Sequence, residues 1–184
     1  GGVAGWEAAW QIAKRGGEVV LHEMKPHVFS PAHHSPSLAE IVCSNSFKSE
    51  SLENGHGILK AEMELLGSLI LKVAREARVP AGDALAVDRE VFSKRVTEIL
   101  EGMEGVLIER KEVKTLPLPG ITLISSGPLT SEPLSGEIQK FTGAPLFFYD
   151  AISPIVTTES IDFGKAFKAS RYGKGGEDYI NCPM

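Results

Sequence analysis

The sequence lacks the features that mark several classes of protein. It has two cysteines, Cys43 and Cys182, which form neither a disulfide framework nor a CxxC metal motif. No apolar run approaches the roughly 18 residues that cross a bilayer. The 24 acidic residues outnumber the 19 basic ones, for a net charge of -5. These absences predict a soluble cytoplasmic protein with no membrane contact and no metal site. RNA would bind through a local patch or through parts outside this chain.

The chain is long enough for one globular core, since 42% of its 184 residues are hydrophobic. Apolar residues spaced three and four apart predict helices over residues 4–14, 57–78 and 130–141. A further helix is predicted after Asp88, whose carboxylate can cap its first turn. The first helix would bury a face of small apolar residues, namely Ala8, Ala9, Ile12 and Ala13.

Short β-branched runs between these helices predict strands. They are "EVVLHE", "ALAV", "GVLIER", "EVKTL", "GITLISSG", "PLFFYDA", "SPIVTTE" and "EDYINC". We expect "GVLIER" and "EVKTL" to pair as a hairpin or small side sheet. The order of elements predicts an α/β fold with a mainly parallel, doubly wound sheet and small additional β elements.

The opening "GGVAG" resembles the second half of the G-x-G-x-x-G turn of dinucleotide-binding proteins. Gly2 and Gly5 have the spacing of its last two glycines, which let backbone approach a pyrophosphate and let a helix pack on a strand. Glu23 ends the next strand, where an acidic residue binds the adenosine ribose. The pattern therefore predicts a Rossmann-like domain whose first glycine and first strand would precede Gly1. The alternative is a glycine-rich expression scar or a glycine cap.

Five segments together resemble one family much more specifically than the glycines do. They are "AEIVCSNSFKSES", "AGDALAVDREVFS", "ISSGPLTSEPL", "YDAISPIVTTESID" and "RYGKGGEDYINCPM". They look like the N-terminal part of the folate- and FAD-dependent tRNA (uracil-5-)-methyltransferases, and the resemblance runs over essentially the whole chain. Related flavoproteins of the glucose-inhibited-division type share the turn and "VDR" but lack "EIVCSNS". The resemblance implies that residues 1–184 are a partial FAD-binding domain, truncated at both ends and inactive alone.

The activity implied by the resemblance is reductive methylation of tRNA. The methylene of 5,10-methylenetetrahydrofolate would reach C5 of a T-loop uridine, with FAD as cofactor and NAD(P)H as reductant. A cysteine thiolate would add to C6 of the base, which makes C5 nucleophilic. The implied partners are tRNA and folate.

Cys43 is the candidate catalytic residue. A lone cysteine is ordinarily a small buried thiol, but the resemblance places one of two functional cysteines in "IVCSN". Its role as nucleophile, proton donor or stabiliser of a flavin intermediate stays open. The second functional cysteine would lie beyond Met184, and we interpret Cys182, before a proline, as structural.

Several further residues each allow two interpretations. Ser44 and Asn45 could bind flavin or make turn hydrogen bonds. Gly127, after the strand-like "ISS", could let backbone pass close to the dinucleotide or form a turn with the proline that follows. His33 and His34 lie in an irregular stretch, residues 25–46, of a length that is usually functional. They could move protons near neutral pH, but a surface loop is the better interpretation.

Two charged groups are interpreted as structural. Asp88 and Arg89 are better explained as a helix cap and a surface ion pair than as cofactor ligands. The basic and aromatic cluster of Arg171, Tyr172 and Lys174 is better explained as a solvated turn than as a base or phosphate contact.

Two functions from other classes remain as alternatives. One is another FAD-dependent oxidoreductase or tRNA-modifying flavoprotein of the glucose-inhibited-division type. The other is a nucleotide-binding module without catalysis. Flavin absorbance separates a flavoprotein from a module that binds another nucleotide or none, and folate-dependent methylation of tRNA separates the two enzymes.

Overall fold

The computed structural model describes residues 2–42, 44–116, 120–145, 156–171 and 174–181. The chain divides into two compact units, one made of Gly1–Val42 and Ser93–Ala151, the other of Cys43–Phe92 and Ile152–Met184. Helix α4, Arg89–Glu101, runs across the boundary between these ranges. In the described part of the chain no helix is both long enough and apolar enough to span a membrane.

The first unit is built on a parallel pair of strands. Strand β1, Val19–Glu23, pairs with β5, Val106–Arg110, in a register that sets Glu23 opposite Arg110. Helix α1, Val3–Ala13, packs on both strands. Helix α5, Glu132–Thr142, follows later in the chain. A helix leading into one of two parallel strands is the arrangement predicted for the α/β class.

The core of the first unit differs from the predicted one at α1. Trp6 and Ala9 are its buried residues, while Ile12 keeps 42% of its surface exposed. Trp6 is fully buried, and an indole removes far more apolar surface from water than an alanine methyl does. The helix is therefore oriented by Trp6 rather than by the small apolar face that the spacing predicted. Other fully buried side chains of this unit are Leu38, Val96 and Leu100.

The second unit is antiparallel. Its three-stranded sheet has the order β2, β4, β3, with the strands Ser46–Ser49, Ala84–Val87 and Arg78–Val79. Helices α2, Gly55–Leu65, and α3, Leu69–Glu76, pack together, and α3 packs on β4. Strands β6, Phe167–Arg171, and β7, Lys174–Asn181, form a separate antiparallel pair.

The prediction of a single helix over residues 57–78 is wrong, because the chain forms two helices there, α2 and α3. Gly67 has a φ of +71°, which ends α2 because a left-handed residue cannot continue a right-handed helix. Ser68 then caps α3, its hydroxyl accepting a hydrogen bond from the Leu71 N–H. The predicted cap at Asp88 is confirmed, since its carboxylate accepts from the N–H groups of Glu90 and Val91.

Two predicted strands are absent from the described residues. The segments "EVKTL", residues 112–116, and "GITLISSG", described over its full length, are irregular, and "GVLIER" pairs in parallel with β1 instead of forming a hairpin. The described end of "SPIVTTE" enters a 3-10 turn at Thr158–Ser160. The prediction for "PLFFYDA" falls, except for its first residue, outside the described residues. The strand predicted at "EDYINC" is confirmed as part of β7.

Candidate dinucleotide-binding site

A cleft of about 110 Å³ lies at the carboxyl ends of the parallel strands. Its walls come from four segments of the first unit: the start of α1, the end of β1, the chain after β5, and the turn that leads into α5. The irregular chain between β1 and β2 closes one side. Its lining includes Gly2, Glu23, Lys25, His33, Glu40 and Ser126. In α/β proteins this edge of a parallel sheet is where ligands bind.

The helix α1 begins in this cleft without a side-chain cap. Gly2 is its N-cap and carries no side chain to cap the first turn, and no acidic residue stands in that turn. The first N–H groups of a helix and its dipole favour a negative charge. The N-terminus of α1 is therefore suited to an anionic group such as a pyrophosphate.

Gly2 and Gly5 let the chain around Ser125 approach α1 closely. A Cβ built on Gly2 would lie 2.7 Å from the backbone oxygen of Ser125, and one on Gly5 would lie 2.7 Å from its hydroxyl oxygen. A Cβ on Gly5 would also meet Leu21 of β1 at 3.8 Å. The predicted role of Gly5 in close helix–strand packing agrees with this geometry.

Gly127 lies between two residues of the cleft wall, Ser126 and Leu129. Its φ of +70° is a conformation that side chains disfavour, and no atom lies within 4 Å of the position of an added Cβ. The glycine is therefore required by the backbone conformation. Contact with a dinucleotide stays a prediction.

Glu23 is buried at the end of β1, with 6% of its surface exposed. Its carboxylate accepts a hydrogen bond from the Lys25 N–H at 3.0 Å. Glu23 and Gly2 line the same cleft, so the two ends of the predicted motif meet in space. The motif predicts that the phosphate turn and the acidic residue lie close together, and ribose binding by Glu23 stays a prediction.

Lys25 and Glu40 form a buried ion pair that the sequence reasoning missed. The Lys25 ammonium donates to Glu40 at 3.3 Å, and their side chains are 4% and 16% exposed. Burial alone would raise the pKa of Glu40. Hydrogen bonds from the N–H groups of His34 and Ser35, together with the charge of Lys25, outweigh burial and lower that pKa. The carboxylate is thus held in its charged form.

His33 also lines the cleft, although the sequence favoured a surface loop for it. Its Nδ1 lies 2.7 Å from the Ser30 hydroxyl, which holds the ring in place. Burial, and then the charge of Lys25, lowers the pKa of His33. In the sequence, only the length and composition of the irregular segment indicated that His33 could lie at a functional site. No local spacing distinguishes His33 from the exposed His34.

Ser44 and Asn45 belong to the second unit and make turn contacts. The Ser44 hydroxyl accepts from the Ser46 N–H, and the Asn45 amide donates to the Val87 carbonyl at 3.1 Å. Asn45 therefore anchors the chain to β4, and any flavin contact by either residue stays a prediction. The predictions for Cys43, Cys182 and Tyr172 fall outside the described residues.

The described residues of the cleft offer groups that can bind an anion and hydroxyl groups. Among them, no three histidine, cysteine or carboxylate side chains are grouped as metal ligands. The uncapped helix N-terminus can hold an anion, and the buried carboxylate of Glu23 can accept hydrogen bonds from hydroxyl groups. Together they match the two ends of an adenosine diphosphate group.

Fold and site define a Rossmann-type nucleotide-binding protein. Residues 1–184 match the family model described as Glucose inhibited division protein A. The chain belongs to this family. The match over the whole chain confirms the predicted α/β, Rossmann-type FAD-binding fold.

Curated relatives are similar along the whole chain. The sequence is 58% identical over 185 residues to the methylenetetrahydrofolate–tRNA-(uracil-5-)-methyltransferase TrmFO of Geobacter sulfurreducens, covering 100% of this chain and 43% of the relative. It is 59% identical over 184 residues to the TrmFO of Acetivibrio thermocellus, covering 100% of this chain and 42% of the relative. These matches confirm the resemblance found in the sequence. The chain thus spans less than half the length of these relatives.

Proposed function

We propose that the whole protein is a folate- and FAD-dependent tRNA (uracil-5-)-methyltransferase, and that this chain supplies part of its FAD site. The proposal takes its reaction from the names of relatives that are more than half identical over the full chain. It takes its cofactor from the family and from the chemistry of the cleft.

The observation that carries the proposal is that Gly2 and Glu23 line one cleft. The N-terminus of α1 at Gly2 would hold the pyrophosphate of FAD, because its N–H groups have no side-chain cap. Glu23 would accept hydrogen bonds from the adenosine ribose, because its buried carboxylate stands at the end of β1. Gly5 would act indirectly by keeping α1 close to β1, and Gly127 by shaping the turn beside Ser126.

The chemistry of the reaction would be shared between cofactor and protein. FAD, when bound, would supply reducing equivalents that come from NAD(P)H, and 5,10-methylenetetrahydrofolate would supply the carbon. We assign Cys43 as the catalytic residue, either as the thiolate that adds to C6 of the uracil or as a group that moves a proton. Ser44 and Asn45 follow it directly in the chain, and we propose that they border the flavin. The substrate would be tRNA, and the protein would act in the cytoplasm.

The proposal is tested with the whole protein, FAD, NAD(P)H, 5,10-methylenetetrahydrofolate and a tRNA transcript. We expect flavin absorbance in the purified protein and folate-dependent formation of 5-methyluridine. Flavin without methylation would indicate another flavoprotein of the glucose-inhibited-division type, and no flavin would indicate a module of another kind.

The role of Cys43 is tested by a matched pair of variants. Cys43→Ala should remove at least 99% of methylation while the protein stays folded, because alanine removes the sulfur and little volume. Cys182→Ala is the control and should methylate at close to the parent rate. A packed thiol would instead lose about 1 kcal/mol of stability and keep its turnover. Methylation by Cys43→Ala near the parent rate would overturn the assignment.

A further inference from the structure

The irregular segment of residues 24–40, here called the strap, forms one side of the cleft. It contributes Met24, Lys25, His33, Ala39 and Glu40 to the lining. It has no regular secondary structure to hold it in place, apart from short turns. Its position therefore comes from the fully buried Leu38 and from side chains that bind its backbone.

Lys25 fixes the far end of the strap. Its ammonium donates to the Ser37 carbonyl at 2.6 Å and to the Glu40 carboxylate at 3.3 Å. Glu40 in turn accepts from the N–H groups of His34 and Ser35. One buried cation just after β1 thus joins four other residues of the strap.

Arg110 fixes the strap from the neighbouring strand. It ends β5, in register with Glu23 of β1. Its guanidinium donates to the Pro36 carbonyl at 3.0 Å and the Lys25 carbonyl at 3.4 Å, and it pairs with Glu101 of α4 at 2.9 Å. The planar group reaches several acceptors at once, as the fork geometry of arginine allows.

We propose that Lys25 and Arg110 are positioning residues that hold the strap against the adenosine end of the dinucleotide site. The inference rests on the proposed function and deepens it, since the ligand is the adenosine diphosphate half of FAD. The two cations act through the strap, because their donors bind strap carbonyls and Glu40. Their removal should weaken binding of the adenosine half without changing the reaction at the flavin.

The test uses the whole protein and compares Lys25→Met with Lys140→Met. Lys140 is an exposed lysine of α5 in the same unit, paired with Glu137, so it controls for loss of a lysine. Lys25→Met should raise the Kd for FAD and for ADP at least tenfold, measured by titration calorimetry. It should leave the methylation kcat at saturating FAD within twofold of the parent. Lys140→Met should change neither.

If Lys25→Met does not fold, a second pair of variants tests the same inference. Arg110→Met should weaken FAD and ADP binding, and Arg110→Lys should recover part of the lost affinity, because a lysine keeps the charge and its N–H donors but not the planar fork of arginine. Binding by these variants equal to the parent's would overturn the inference. A lower kcat at saturating FAD, together with a lower melting temperature of the apoprotein, would also overturn the inference. A parent protein that binds neither FAD nor ADP would refute the proposed function itself.

Discussion

The backbone oxygen of Ser125 lies 2.7 Å from where a Cβ on Gly2 would stand. This close approach joins the start of α1 to a segment in the second range of the unit, far along the chain. Gly2 has a φ of -65°, which any residue can adopt. The glycine is therefore required by the approach of another backbone and not by its own conformation.

Gly2→Ala should separate α1 from the Ser125 segment. A backbone oxygen at this distance cannot rotate away, so we expect a loss of about 1–3 kcal/mol in the free energy of unfolding. We also expect weaker ADP binding. Denaturant unfolding and calorimetry of the whole protein measure both effects. Gly55→Ala, at a position with no atom within 4 Å of an added Cβ, is the control.

Gly5→Ala should behave differently, because its Cβ would meet the hydroxyl of Ser125. Removing that hydroxyl in the double variant Gly5→Ala/Ser125→Ala should restore stability to near the parent's. An alanine inside a helix is favoured over glycine by about 0.5–1 kcal/mol, which helps the recovery. Ser125→Ala should not rescue Gly2→Ala. Equal rescue of both would show that the clash at Gly2 is not with the backbone.

Glu23→Ala should weaken ADP binding about 10- to 100-fold, the range for losing hydrogen bonds to a charged acceptor. Glu23→Gln keeps an oxygen that can accept from the Lys25 N–H and should lose less affinity. Glu109→Gln, on the neighbouring strand with 45% of its side chain exposed, is the control. ADP affinity unchanged in Glu23→Ala would place the ribose elsewhere.

Glu40→Ala should destabilise the protein by about 2–3 kcal/mol, because it leaves the buried Lys25 without its carboxylate. The loss is smaller than for a fully buried pair because the Glu40 side chain is 16% exposed. The exposed pair of Arg95 and Glu98 supplies the comparison. Glu98→Ala should cost no more than about 0.5 kcal/mol in the same denaturant titration.

His33 should make stability fall with acid. Burial, and then the charge of Lys25, holds its pKa below the usual value of about 6.5, while Glu40 and Glu23 oppose the shift. The unfolded chain then takes up the proton first, so the contribution is complete above about pH 6.5 and lost as pH falls through the folded pKa. His33→Asn, which keeps a polar atom near Ser30, should flatten this fall. Equal slopes for variant and parent would contradict the shift.

The sequence predicted the elements that depend on local patterns. The helices after Gly2 and Asp88, the strand that ends at Glu23 and the meeting of the two motif ends all follow from spacing and caps. It did not predict the break at Gly67, because apolar spacing continues across it. Nor did it predict that Trp6, rather than Ile12, faces the core.

The sequence did not predict the residues that hold the strap, and the reason is physical. Lys25 and Arg110 act through backbone carbonyls of an irregular segment, and no periodicity encodes such contacts. The pairing of β5 with β1 depends on residues separated by half the chain. Neighbouring residues alone made a hairpin with "EVKTL" look equally favourable.

The parallel register also sets the order in which the molecule can be assembled during synthesis. Val19 pairs with Val106, whereas Arg78 pairs with Val87. Closing the longer loop loses more chain entropy, so the short antiparallel pairs can form first and shorten the loop that remains. The residues of α1 and β1 leave the ribosome before β5 and Ser125 are synthesised. The nucleotide cleft therefore combines segments that are synthesised early with segments that are synthesised late. In the nascent chain, Trp6 and Leu21 are made before the later segments that complete the cleft.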